Sequence, residues 1–145
     1  MNVLLDTNVL SEMVAGKPNQ QVVDFVDSLD EDTVFLSVVT VGEIQRGISR
    51  LPDGQRKEVL QGWLDGEMMV RFAGRVLPLD AEVMSTWGKL QAELERKGRK
   101  MPLMDSLVGA LAFQHRLTLV TRNSRDFEAM AIQLFNPWEG ASPDS

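Results

Sequence analysis

Short apolar runs, each closed by polar residues, alternate along this chain with segments of helical periodicity. That alternation limits the fold more than any other feature. Val3-Leu4-Leu5, ending at Asp6, reads as a strand buried on both faces. Val34 to Val38 is β-branched, aromatic and apolar, and reads as a second strand. Val76 to Leu79, Leu117 to Thr121 and Ile132 to Phe135 read as a third, a fourth and a fifth, the last at an edge. Between them, Thr7 to Val14 reads as a short helix with Thr7 as its cap. Pro18 marks another helix start, followed by an apolar stripe at Val22, Val23, Phe25, Val26 and Leu29. Val41, Ile44, Ile48 and Leu51 recur at helical spacing, with Thr40 as a cap. Gln55 to Arg71 continues helical, with Val59, Leu60, Trp63 and Leu64 as its buried face. Ala81 to Lys97 is a helix ended by Gly98, and Pro102 opens another that runs to about Arg116. The pattern specifies an α/β domain in which a mostly parallel sheet lies between helical layers.

At 145 residues the chain suits one domain. We expect it to span residues 1–139, with Gly140 to Ser145 as a loose, flexible tail. The absence of cysteine excludes disulfides, zinc–thiolate sites and cysteine nucleophiles, and fits a reducing cytosol. The first residues, Met1 to Asp6, have neither the basic nor the long apolar region of a signal peptide. No apolar run reaches the length of a membrane span. A cytoplasmic protein with no membrane partner is therefore expected. The net charge of −6 argues against tight, non-specific binding of nucleic acid through a basic surface. It does not exclude a nuclease, because metal-binding carboxylates count fully in the formal charge.

In parallel sheets ligands bind beyond the carboxyl ends of the strands. Four places qualify: Asp6-Thr7-Asn8, the segment Ser37 to Glu43, the start of the Pro102 helix, and Thr121-Arg122-Asn123. A carboxylate at Asp6, after a buried strand, is costly unless it is hydrogen-bonded, paired or metal-bound; a helix cap would also accommodate it. Glu43, near a helix start, suits either the helix dipole or a cation. Asp105 shares its helix face with Val108, Gly109 and Ala112. A charge on that apolar face needs a partner, and the small neighbours leave room for a cation or a phosphate. Asn123 and Asp126 are turn residues or oxygen donors, and Thr121 can hydrogen-bond a ligand. Acids converging at one sheet end repel, so at least one pKa should rise. A divalent cation removes the conflict, and hard oxygen donors select Mg²⁺ or Mn²⁺. Such a cation activates water and neutralises charge on a phosphate. The single histidine, His115, lies between a helix and a strand and is expected to be structural.

Five stretches in order carry a resemblance: L-L-D-T-N-V-L-S-E, S-V-V-T-V-G-E-I-Q-R-G, G-R-V-L-P-L-D, M-P-L-M-D-S-L-V-G-A-L-A and L-T-L-V-T-R-N-S-R-D-F. The ending L-F-N-P-W-E joins them. From Val3 to about Glu139 the chain resembles the VapC-type toxins of toxin–antitoxin pairs, which are PIN-domain ribonucleases, and is especially similar to the FitB branch.

The resemblance implies a PIN-like α/β/α fold and a metal-dependent endoribonuclease acting as the toxin of a type II pair. Its metal-binding acids fall on Asp6, Glu43 and Asp105. Asn8 falls on the residue that supports the first acid, and Thr121 on a hydroxyl near the site. Asn123 stands where many members carry a fourth acid, with Asp126 nearby. Met104 is bulkier than the usual residue before the third acid. Products with 5′-phosphate and 3′-hydroxyl ends are implied. So are a homodimer, a small antitoxin whose C-terminal segment enters the active-site groove, a higher assembly with it, and DNA binding through the antitoxin alone. Arg46, Arg50, Arg96, Lys97, Arg99 and Lys100 are candidates for RNA backbone contacts, and Arg46 and Arg50 equally for antitoxin carboxylates. The run Arg96 to Lys100 also reads as a solvated helix end. Three other readings differ in class, of which a phosphoaspartyl signalling receiver would need an acidic pair after the first strand and a lysine on a late strand, neither of them visible. A phosphatase with Asp6 as nucleophile would need a second Asp where Asn8 stands. A catalytically inactive PIN domain would serve only for binding, and loss of the fourth acid favours it.

Overall fold

The computed structural model of the protein describes residues 1–139; the expected tail, Gly140 to Ser145, lies outside them. Five short strands form one parallel sheet: β1 (Val3–Leu5), β2 (Val34–Ser37), β3 (Val76–Leu77), β4 (Thr118–Val120) and β5 (Leu134–Phe135). Their order is β3-β2-β1-β4-β5, so the first strand is central and the fifth lies at an edge, as expected. Register places Val3 beside both Val34 and Thr118.

The helices are α1 (Thr7–Met13), α2 (Gln20–Asp27), α3 (Val38–Ser49), α4 (Gln55–Trp63), α5 (Met69–Arg71), α6 (Ala81–Arg96) and α7 (Leu103–His115). They cover both faces of the sheet. Side chains alternate along each strand, and the two apolar cores divide accordingly. Val3 and Leu5 join Val9, Val22, Leu36 and Val120 on one side. Leu4 joins Leu119, Val83, Leu94 and the apolar run of α7 on the other. Strands buried on both faces read as continuous apolar runs for this reason. The fold is thus the α/β/α arrangement that the sequence specifies. Among the described residues, no helix is long and apolar enough to cross a membrane.

Several local expectations need correction. The cap of α1 is Asp6, not Thr7. The cap of α3 is Ser37, whose Oγ accepts from the Thr40 N–H at 3.0 Å; Thr40 is inside the helix and Val38 opens it rather than ending β2. The helical reading from Gln55 to Arg71 is interrupted by a π-turn over Leu64–Met68. The inward stripe there is Leu64 and Met68, buried, with Leu60 and Trp63 half-buried beside them, and Val59 is 57 % exposed. Pro78 follows β3 instead of lying in it, as its missing N–H requires. Lys97 caps α6, and Gly98 follows it at φ +68°, where glycine meets no penalty.

Candidate metal and active site

Strand order reverses beside β1: β2 and β3 lie on one side of it, and β4 and β5 on the other. The crevice beyond the carboxyl ends of β1 and β4 is the switch point of the sheet, and Asp6 and Thr121 stand there. Asp6 is only 6 % exposed. Its Oδ1 accepts the Thr7 N–H at 2.8 Å, and its Oδ2 accepts the Thr121 hydroxyl at 2.9 Å. Asn8 Nδ2 donates weakly to the same Oδ2, at 3.4 Å, and to Thr121 Oγ1 at 3.2 Å. Asn8 Oδ1 in turn takes the Arg122 N–H at 3.1 Å. Asn8 therefore ties the loop after β1 to the loop after β4.

Glu43 reaches the same crevice from α3, two turns beyond the Ser37 cap. The Thr7 hydroxyl donates to its Oε1 at 2.6 Å and lies 3.0 Å from Thr40 Oγ1. Asp105 arrives from the first turn of α7. The Ser106 hydroxyl within that turn donates to the Leu103 carbonyl at 2.6 Å and accepts the Trp87 indole N–H at 2.9 Å, which braces α7 against α6. Asp6, Asn8, Glu43, Asp105 and Asn123 line one open cavity of about 470 Å³. A cavity of this size suits a nucleotide.

The electrostatics of the crevice are those of crowded, partly dehydrated acids. Burial pushes the Asp6 carboxyl up, and the charge of Glu43 adds to this. The bonds from Thr121, Thr7 and Asn8 pull the other way without overcoming it. Asp105 is pushed up to about 6 by burial first, then by the charges of Asp6, Glu43 and Asp126. Among the described residues, no Lys or Arg pairs with Asp6, Glu43 or Asp105. The three acids thus bring negative charge here that no ion pair among the described residues balances. Nor are three Asp, Glu or His side chains gathered closely enough among the described residues to ligate one ion directly. One Glu43 oxygen is already engaged by Thr7, and both Asp6 oxygens accept bonds from the protein. The residues fit a hard divalent cation that keeps several of its waters, which Mg²⁺ does readily.

Two functional expectations need correction. Thr121 is fully buried and spends its hydroxyl on Asp6, so it orients the acid instead of touching a substrate. The small residues on the face of Asp105 do not make space for an ion. A Cβ at Gly109 would run into the Met130 sulfur and lie 2.9 Å from its methyl carbon, so Gly109 admits Met130 and Phe127 into the second core. The basic residues are scattered. Arg46 and Arg50 are exposed on α3 and are not among the residues that line the acid cavity. Arg99 and Lys100 line a separate cleft with Arg125 and Asp126. Asp126 reaches Asp105 only through its charge. His115 is exposed at the last turn of α7. The cavity also has residues that sequence reasoning missed, Ser11 and Glu12 on α1, and it includes Arg122, which the sequence placed at a candidate strand end without a role. The period of α1 places Ser11 on the face of Asn8, and Arg122 lies between two residues already singled out.

Known proteins share this fold. The PIN domain family matches residues 3–133. Toxin FitB of Neisseria gonorrhoeae is 38 % identical over 136 residues, covering 94 % of this chain and 98 % of that protein. VapC ribonuclease Y4jK of Sinorhizobium fredii is 34 % identical over 139 residues, covering 96 % of this chain and 99 % of its own length. A solved structure of FitAB bound to the IR36 DNA fragment superimposes with a TM-score of 0.92 at 36 % identity, covering 97 % of this chain and 98 % of the matched one. With the sheet, its switch point and nearly the whole length held in common, the chain belongs to the PIN-domain family, in the VapC-type ribonuclease toxin branch that includes FitB.

Proposed function

We propose that the protein is an endoribonuclease that uses Mg²⁺ or Mn²⁺ and acts as the toxin of a type II toxin–antitoxin pair. One observation carries the reading: Asp6, Glu43 and Asp105 converge on one cavity and, among the described residues, none of them is ion-paired with a Lys or Arg. These three acids would hold the cation, partly through water. A divalent ion in that position lowers the pKa of a water and neutralises charge building on a phosphate. The chain's own residues do the rest. Thr121 and Asn8 fix the orientation of Asp6, and Thr7 fixes Glu43. The Trp87–Ser106–Leu103 links set the first turn of α7, and with it Asp105. Asn123 faces the cavity, where its amide can position the RNA phosphate or an ordered water. Arg46, Arg50, Arg99 and Lys100 lie farther out and would contact RNA backbone or antitoxin.

The partners follow the same reading. FitB, so similar along its whole length, is solved within a FitAB assembly on DNA. We infer a homodimer of this chain that binds a small antitoxin, whose C-terminal segment would block the acid cavity. With a pI of about 4.8, the chain is unsuited to holding DNA itself, which leaves that to the antitoxin.

The test is cleavage of total tRNA and rRNA by protein freed of antitoxin, with Mg²⁺, with Mn²⁺ and with EDTA, beside Asp6→Asn. Discrete cuts that need metal and vanish in the variant are expected. Metal binding with no cut in any RNA would instead support the inactive binding module, the reading that Asn123 in place of an acid favours.

A further inference from the structure

The Asn136-Pro137-Trp138 stretch plays no part in the acid cluster, yet it is fastened to its rim. Asn136 Nδ2 donates to the Arg122 carbonyl at 3.1 Å, and Asn136 Oδ1 takes the Trp138 N–H at 2.9 Å. From α2, Gln21 Nε2 donates to the Pro137 carbonyl at 2.9 Å. These bonds set the indole of Trp138 against the side chain of Arg122, whose guanidinium carbon lies 5.1 Å from the ring centroid. The Arg122 backbone is held from the other side by Asn8. Arg122 lines the same cavity as Asp6, Glu43 and Asp105 but forms no ion pair with any of them among the described residues. An arginine beside three acids that pairs with none, and rests on an aromatic face instead, is held ready for an anion from outside. Contact with the ring spends none of the guanidinium N–H groups on an ion pair, and these groups fit a phosphate two at a time.

We propose that Arg122, positioned by Trp138, grips a backbone phosphate of the RNA next to the one that is cut. The inference rests on the ribonuclease reading above. Arg122 is then a substrate-binding residue and Trp138 a positioning residue. The contact is blind to base identity: it sets how the strand lies across the acids, not which strand is chosen. With the scissile phosphate at the acids, Arg122 at the rim fixes the direction in which the chain leaves. Beside the packing of Trp138 against the first core, the N-P-W ending thereby acquires a second function, as the platform that keeps this arginine from folding down onto the acids.

The experiment measures binding of a labelled single-stranded oligoribonucleotide by fluorescence anisotropy. It is done in the Asp105→Asn background, so that RNA is held without being cut, over a range of salt. Arg122→Ala should weaken binding about tenfold and reduce the slope of log K against log salt by about 0.7, the loss of one phosphate contact. Arg122→Lys should recover the slope and only part of the affinity. Trp138→Ala should weaken binding less, Trp138→Phe should restore it, and Trp138→Ala should add nothing once Arg122 is Ala. In chains that keep Asp105, Arg122→Ala should raise KM and leave kcat nearly unchanged. Unchanged RNA affinity and salt slope in Arg122→Ala would overturn the proposal, whether the variant then shows only a lower Tm or only weaker binding of an acidic peptide. A parent chain that binds RNA with the expected Arg122 dependence but cuts none would sink the ribonuclease reading alone.

Discussion

Without metal, Asp105 is held at a cost, and the cost is measurable. Burial and the charges of Asp6, Glu43 and Asp126 lift its pKa from 3.8 to about 6. A carboxyl with a higher pKa in the folded state binds protons better folded than unfolded. Stability is therefore lost as pH climbs from about 4 through 6. At about 1.4 kcal/mol for each tenfold change in proton affinity, the rise sets a ceiling of ~3 kcal/mol. Asp105 is partly open to solvent, and screening reduces this to about 1–2 kcal/mol. Asparagine has nearly the same shape and carries no charge. In EDTA, Asp105→Asn should therefore be more stable than the parent by about 1–2 kcal/mol at pH 8 and about equal to it at pH 4. Urea unfolding across that range gives the difference directly. Mg²⁺ should reverse the ranking, because binding to the native state stabilises the parent and does little for the variant. A variant less stable than the parent at pH 8, or a difference that is the same at both pH values, would refute the reasoning.

Three further perturbations test the scaffold around the acids. Thr121→Val keeps the shape of a fully buried side chain but removes the hydroxyl held by Asp6, so Mg²⁺ or Mn²⁺ affinity by calorimetry should fall roughly 10- to 100-fold. Thr121→Ser should keep most of that affinity. Gly109→Ala drives a methyl into the flexible end of Met130, and with the helix propensity of alanine set against the clash it should cost no more than about 1–2 kcal/mol in urea unfolding; in a Met130→Ala background the same substitution should cost nothing or stabilise. Ser37→Ala strips the buried cap of α3 and should cost about 1–2 kcal/mol, with Ser37→Thr close to the parent.

The fold was legible because its signals are local and redundant. A run such as Val3-Leu4-Leu5 has no polar face to turn toward water, so a strand covered on both sides is the one arrangement that suits it. The acids were legible for the complementary reason, that each interrupts an apolar context at a strand end or on a helix face. Ser37 was legible in principle through its spacing to Thr40, but β-branched Val38 made the strand look one residue longer. What stayed hidden depends on residues far apart in sequence. Gly109 reads as open space until Met130 is seen to fill it. Thr121 reads as a ligand contact until Asp6 is seen to take its hydroxyl. Arg122 reads only as part of a candidate strand end until Trp138 is placed beside it. The π-turn at Leu64–Met68 leaves no mark in the composition, because a wide turn inside a helix shifts the phase of the stripe and not the kind of residue that forms it.

The central strand is the first to be made, and that sets a schedule for synthesis. Asp6 leaves the ribosome early, but the Thr121 hydroxyl that orients it belongs to a residue 115 positions later. The strand just before Thr121, β4, completes the other side of β1. Contacts of such long range close slowly. Until about four-fifths of the chain has been translated, a nascent copy has β1 with one flank bare and no catalytic crevice at all. A nuclease built this way cannot attack RNA around the ribosome that is making it. The interval from emergence of β4 to final docking is when an inhibitor made nearby could first meet a finished groove.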